Sequence, residues 1–199
     1  MSVRLIADSG STKTEWCLLE GTKKKRIETQ GLSPYFLSGI QIKEVLQKEL
    51  LPKIRKAEPT EIFFYGTGCS NPANVKIVRE AIKAVFKKAK VTVEHDLMGA
   101  ARALCSHEKG IACILGTGSN SCFYNGKKIV KNSPGLGYVL GDEGSGAYLG
   151  KKVIQYFLYN TFDPDLMDRF HIKFNTNVNE ILDAVYKTPL PNRYMAGFA

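Results

Sequence analysis

The chain carries one pattern twice. Residues 4–29, RLIADSGSTKTEWCLLEGTKKKRIET, read as strand, small-residue turn, strand, basic turn, strand. Residues 111–132, IACILGTGSNSCFYNGKKIVKN, repeat that order about a hundred residues later. An internal repeat constrains topology more than any single motif, because each copy must build the same local unit. In the first copy an apolar run ends at Asp8 and a Gly-Ser-Thr-Lys-Thr turn follows. A phosphate loop of the Gly-x-x-x-x-Gly-Lys-Ser/Thr type would run into a helix. Here the continuation is apolar and strand-like, so residues 3–8, 14–20 and 24–29 are predicted to form a meander.

After the first meander, Ile42, Val45, Leu46, Leu50 and Ile54 give a helical period over 41–56, ended near Pro59. EIFFYGTG then reads as a buried strand, 73–89 as a second amphipathic helix, VTVEHD as a strand and LMGAARALC as a third helix. Three strands followed by alternating helices and strands imply an α/β layer sandwich whose later strands are parallel. The pattern restarts after His107–Gly110, which divides the chain into residues 1–107 and 108–199. In the second half, helices are expected near 146–160 and 177–187, and NRYMAGFA opens like another. A full copy of the first half would still need a strand, a helix, a strand and a helix. The second half is therefore expected to be incomplete and the chain to be a piece of a longer protein.

Composition sets limits on the partner. At 199 residues, 44% hydrophobic and 24% charged, the chain has the make-up of a globular protein. No apolar run nears the roughly 20 residues of a membrane helix, and the start is too short in apolar residues for a signal peptide; a cytoplasmic protein is expected. The five cysteines, Cys17, Cys69, Cys105, Cys113 and Cys122, are odd in number, form no Cys-x-x-Cys pair and read as reduced small hydrophobes. A net charge of +9 favours polyanions, but the basic residues are scattered and the one dense run, Lys23–Arg26, suits a solvated turn. No nucleic-acid or membrane partner is expected. His95, His107 and His171 stand alone, without metal-ligand spacing.

A hairpin turn rich in Gly, Ser and Thr offers successive backbone N–H groups and hydroxyls to an anion without a helix dipole. Two of them, one per half, could face each other across a polyphosphate. Asp8 would then lie near phosphate oxygens, where a carboxylate is tolerable if Mg2+ intervenes. A third glycine-rich turn, Tyr65–Cys69, reads either as loop geometry or as part of a substrate pocket.

DSGSTKTEW, VEHDLMGAA, ILGTGSN and GLGYVLGDEGSGAYLG stand in this order, and together they resemble the motifs of the N-acetylglucosamine kinase and BadF/BadG/BcrA/BcrD ATPase family of the actin, hexokinase and Hsp70 superfamily. The resemblance covers the whole chain, and Gly-Asp-Glu-Gly-Ser is its most specific part. It implies a ribonuclease H-like, two-lobed fold with ATP and Mg2+ as cofactors and an amino sugar, N-acetylglucosamine first, as substrate; a homodimer is compatible with it. Carried over residue by residue, it implies Asp8 beside the metal. Gly10, Ser11, Thr12, Lys13 and Thr14 would form the first phosphate hairpin, and Gly116, Thr117 and Gly118 the second. Asp96 matches the catalytic base, although an N-cap for a helix beginning at Leu97 suits it equally. Ser119, Asn120, Gly135, Leu136, Gly137, Asp142 and Glu143 match sugar-contacting positions, with helix capping the alternative for the last two. Where the sugar kinases have an asparagine after the first meander, this chain has GLSPYF, so Ser33 or Tyr35 takes its place and the identity of the sugar is left open.

Two other functions compete. An ATPase that activates a partner enzyme would hold an iron–sulfur cluster on cysteines at a dimer interface, and Cys105, Cys113 and Cys122 are poorly spaced for that. A non-catalytic, sugar-binding regulator would carry a helix-turn-helix and a cysteine-rich zinc motif, which this sequence lacks.

Overall fold

The computed structural model describes residues 2–133 and 135–199. The chain divides into two compact units, Met1–His107 and Glu108–Ala199.

In the first unit β1 (Val3–Ser9), β2 (Lys13–Glu20) and β3 (Lys23–Gln30) form the meander. β4 (Glu61–Gly66) and β5 (Lys90–Glu94) extend it into a five-stranded sheet of order β3-β2-β1-β4-β5. β1, β4 and β5 run parallel and the meander is antiparallel, as the alternation of elements predicts. Leu5, Trp16, Leu32, Ile42, Leu46, Ile62, Phe64 and Ile82 are buried together in its core. Trp16 also satisfies its indole N–H by donating to Thr29 Oγ1 at 2.9 Å.

The helix expected over 41–56 is interrupted. α1 (Gly39–Val45) starts at a Ser38–Gln41 capping box, and a π-helical turn over Leu46–Leu50 joins it to α2 (Leu51–Ile54). Pro52 has no N–H to continue an i→i−4 ladder, and the Leu51 N–H reaches back to the Leu46 carbonyl. α3 (Pro72–Val85) is capped by Asn71, and α4 is Asp96–Cys105. Asp96 is thus the first helical residue and His95 occupies the N-cap without a side-chain bond, one position away from the expected cap.

In the second unit β6 (Lys109–Leu115), β7 (Ser119–Asn125) and β8 (Ile129–Ser133) form a separate antiparallel sheet. Among the described residues five helices follow: α5 (Gly137–Leu140), α6 (Gly146–Leu158), α7 (Pro164–Phe174), α8 (Val178–Tyr186) and α9 (Pro191–Ala196). α7 escaped the periodicity, although Asp163 caps it and Pro164 sits in its first turn, a standard start signal. Phe157, Phe170, Ile181, Met195 and Phe198 close a helical core, with the Phe157 and Phe170 rings stacked at 4.1 Å. Among the described residues no helix is long and apolar enough to cross a membrane.

Candidate functional site

In the first unit two carboxylates stand at strand ends. Asp8 is the penultimate residue of β1, paired with Glu15 on one side and Tyr65 on the other. Asp96 follows β5 and opens α4. Strand ends of a parallel sheet are where α/β proteins receive ligands. The two are electrostatically coupled: withdrawal from water, then the charges of Asp96 and Glu15, raise the Asp8 pKa against the pull of Lys13. At Asp96, burial pushes the pKa up, but the neighbouring His95 imidazole and the hydrogen bonds from Thr67 and the Leu97 amide outweigh it and leave the group lowered. Thr67 donates to Oδ2 at 2.6 Å, the Leu97 N–H donates to Oδ1 at 2.8 Å, and His95 Nδ1 lies 3.9 Å from Oδ1. Asp96 is therefore held as a carboxylate, the form a base needs. Nearby, burial and the Asp96 charge push the Cys69 thiol up to about 12, which makes it unreactive.

The hairpin between β1 and β2 turns at Gly10, Ser11 and Thr12. The Gly10 N–H donates to the Lys13 carbonyl at 2.9 Å, and the Gly31 N–H donates to the Thr12 carbonyl at 3.0 Å. Thr12 is exposed, whereas Thr14 is fully buried and turned inward. The Ser9 and Thr14 hydroxyls bond each other at 2.7 Å, Thr14 donates to the Gln30 carbonyl at 3.1 Å, and the Leu32 N–H donates to Ser9 Oγ at 3.1 Å. Thr14 thus shapes the turn from behind. Lys13 points along the sheet to Glu15 at 2.7 Å and Glu28 at 3.7 Å. Gly31 was not singled out in the sequence, yet a Cβ there would lie 2.5 Å from the Ser11 carbonyl carbon and 2.6 Å from the Gly10 oxygen.

Ser33 and Tyr35 separate in the structure. Ser33 is buried and its hydroxyl accepts from the Tyr35 N–H at 3.4 Å, while Tyr35 is 62% exposed. The Tyr35 ring lies over Gly68, where a Cβ would come within 2.9 Å of it and where φ is +87°. Tyr35 therefore borders the Tyr65–Cys69 turn, whose Thr67 reaches Asp96.

In the second unit the β6–β7 hairpin turns at Gly116, Thr117 and Gly118, with the Gly116 N–H donating to the Gly118 carbonyl at 2.9 Å. The Gly146 and Ala147 amides at the start of α6 donate to the Gly116 and Thr117 carbonyls at 2.8 and 3.1 Å. The Asp142 carboxylate lies against Gly118, where an added Cβ would come within 2.8 Å of Oδ2. Asp142 adopts φ +58°, unusual away from glycine and a feature of constrained sites. The capping alternative for Asp142 and Glu143 fails because Ser145 is the N-cap of α6, accepting the Tyr148 N–H at 3.1 Å. Ser119 donates to the Glu143 carbonyl at 3.0 Å, and Gly135 lies beside Asn120 and the Ser119 carbonyl. These residues thus gather round the hairpin. Leu136 and Gly137 lie at the start of the short α5, with Leu136 exposed.

A solved structure from Porphyromonas gingivalis, described as a candidate N-acetylglucosamine kinase, is 42% identical over the whole of this chain and 70% of its own, with a TM-score of 0.93. The chain belongs to the N-acetylglucosamine kinase family. A second such candidate kinase, from Chromobacterium violaceum, shares the fold at 19% identity and TM-score 0.61, over 100% of this chain and 73% of its own. The chain shares its mixed α/β fold with both. The N-acetylmuramic acid/N-acetylglucosamine kinase of Clostridium acetobutylicum is 25% identical over 170 residues, 78% of this chain. The chain spans about half the length, 54%, of that curated relative. No family model matches the chain.

Proposed function

We propose that the protein is an ATP-dependent sugar kinase that transfers the γ-phosphoryl group to a hydroxyl of an amino sugar, N-acetylglucosamine being the first candidate. One observation carries the proposal: Asp96, at the end of a parallel strand, is fixed through both carboxylate oxygens and kept ionised in the same unit as Asp8 and the first glycine-rich hairpin. Phosphoryl transfer to an alcohol needs an acceptor for the hydroxyl proton, in-line positioning and neutralisation of phosphate charge. Asp96 accepts the proton as the sugar oxygen bonds to phosphorus and ADP leaves. Ser11 and Thr12 in the first unit, and Thr117 and Gly118 in the second, offer amides and hydroxyls to phosphate, while the Gly10 and Gly116 amides close their own turns. Tyr35, Asp142, Glu143, Ser119 and Asn120 are the residues offered to the sugar.

The residues fit a magnesium ion. The Asp8 pKa is raised by withdrawal from water and then by the charges of Asp96 and Glu15, which Lys13 does not offset, so a cation would find a favourable partner there. Among the described residues no three His, Cys, Asp or Glu side chains converge as a ready cage. A single carboxylate, with waters and phosphate oxygens completing the shell, is the common mode for Mg2+. Bound there through Asp8, the ion would neutralise phosphate charge.

The test is sugar-dependent ADP release by the intact protein with Mg·ATP. N-acetylglucosamine is expected to stimulate it, and Asp96→Asn to lower turnover by roughly 100-fold or more while nucleotide affinity holds. ADP release indifferent to every amino sugar, or near-normal turnover in the variant, would overturn the proposal.

A further inference from the structure

We propose that Thr67 is a positioning residue for the base: its hydroxyl sets the plane of the Asp96 carboxylate. The inference rests on the kinase reading and adds to it a residue that its motifs do not include. The Thr67–Asp96 bond, 2.6 Å, falls in the short range of hydroxyl donors to ionised carboxylates. The Leu97 amide alone would hold one oxygen and leave the carboxylate broad about its last torsion, which has no sharp staggered wells. The second bond, on the other oxygen, removes that freedom. A lone pair directed at the acceptor hydroxyl is then a fixed feature of the site.

Thr67 is itself held in place by backbone. Its N–H donates to the Ser9 carbonyl at 2.8 Å, carrying the β1–β4 ladder one residue beyond the strand. The next carbonyl, of Gly68, accepts Asn74 Nδ2 at 2.7 Å from the first turn of α3, and the Cys69 N–H donates to the Gly66 carbonyl at 3.1 Å. Glycine flanks Thr67 on both sides for steric reasons: at Gly66 a Cβ would run into the Phe64 ring, and Gly68 has φ +87° beneath Tyr35. The turn thereby ties the end of the Asp8 strand to the base. Misplacing a reacting group by about an ångström can cost on the order of 100-fold in rate, so a residue that fixes a carboxylate plane has a kinetic signature.

The test combines kinetics with a measurement that needs no catalysis. Thr67→Val keeps the shape and removes the donor; it is expected to lower kcat roughly 10-fold or more with the sugar KM changed by less than about threefold, and Thr67→Ser to restore most of the loss. In parallel, thermal unfolding of Thr67→Val, Asp96→Ala and the double variant forms a cycle in which the two changes are expected to be non-additive. Additive unfolding shifts would overturn the inference whatever the kinetics. Coupled unfolding with an unchanged kcat would also overturn it, by reducing the bond to a strut for the loop. Coupled unfolding in a wild-type protein that phosphorylates no amino sugar would remove the kinase reading and the catalytic meaning of the bond, while the bond itself stood.

Discussion

The two glycine-rich hairpins are held from behind by different means. At the first, the end of β3 closes in: Gly31 bonds the Thr12 carbonyl, and the buried Ser9–Thr14 hydroxyl pair ties β1, β2, Gln30 and Leu32 together. At the second, a helix start does the work, since the Gly146 and Ala147 amides would otherwise lack intrahelical partners and bond Gly116 and Thr117 instead. The outcome is shared. In both turns carbonyl oxygens that would repel an anion are occupied, by Gly10 and Gly31 in one case and by Gly116, Gly146 and Ala147 in the other. A repeated motif therefore preserves the electrostatic face of the turn, while the scaffold behind it is free to differ.

The strands leading into the hairpins differ more. Counting back from each turn, Leu5 and Ala7 of β1 correspond to Ile111 and Cys113 of β6. Leu5 and Ala7 are completely buried, whereas Ile111 is 72% exposed and Leu115, at the turn, 71%. Leu5→Ala is accordingly expected to cost about 2–5 kcal/mol in chemical denaturation of this chain, and Ile111→Ala less than about 0.5 kcal/mol. Equal costs would break the comparison.

The hairpin supports give the next largest effects. Gly31→Ala forces a methyl into the Ser11–Gly10 backbone and is expected to cost about 1–3 kcal/mol and to weaken nucleotide binding. Gly116→Ala is expected to be mild by comparison, because the nearest atom to its Cβ is the Gly118 oxygen at 4.0 Å. Unfolding midpoints of the pair decide whether the first turn is the more tightly braced. Thr14→Val takes from the buried Ser9 hydroxyl one of its two partners, leaving it the Leu32 N–H, and is expected to cost about 1–3 kcal/mol. Ser145→Ala, which uncaps α6 behind the second hairpin, is expected to cost about 1 kcal/mol. The reverse order would mean that the helix start is the stronger clamp.

The meander, the alternation and the two hairpins could be read from the sequence because they depend on local period and turn residues. The parallel pairing of β1 with β4, and of β4 with β5, followed from the helices between them. What escaped was set by contacts distant in sequence. Gly31 matters only because it meets residues 10 and 11, and Thr67 only because Asp96 lies 29 positions away. Ser145 rather than Asp142 or Glu143 caps α6, since the Gly144 turn, at φ +76°, places the N-cap one residue beyond it. α7 is a different kind of miss: Asp163-Pro164 announced it, and its low overall apolar content concealed it.

The smallest expected effect separates the two carboxylates of the first unit by sign. The Asp8 pKa is raised on folding, by withdrawal from water and then by Asp96 and Glu15, so the folded state prefers Asp8 protonated. That contribution is fully present below the ordinary aspartate range and is lost as pH rises through the folded value. At pH 7 the ionised Asp8 is therefore a small net cost, and Asp8→Asn is expected to unfold at a slightly higher temperature than the wild type, the gap closing as pH falls below 4. Asp96 has the opposite sign. Burial opposes its charge, but His95, Thr67 and Leu97 together lower its pKa, so its contribution is present above the ordinary range and lost as pH falls through the folded value. Asp96→Asn should consequently unfold earlier than the wild type at pH 7 and converge with it in acid. Magnesium sharpens the contrast, because a cation beside Asp8 would supply the charge whose absence makes asparagine favourable, so the advantage of Asp8→Asn should shrink as the ion is added. Melting curves of the two variants between pH 3 and 7 carry the test: an Asp8→Asn protein that melts at or below the wild type at pH 7 without divalent ions would show that Asp8 is stabilising as a carboxylate, and the repulsion inferred at the end of β1 would be wrong.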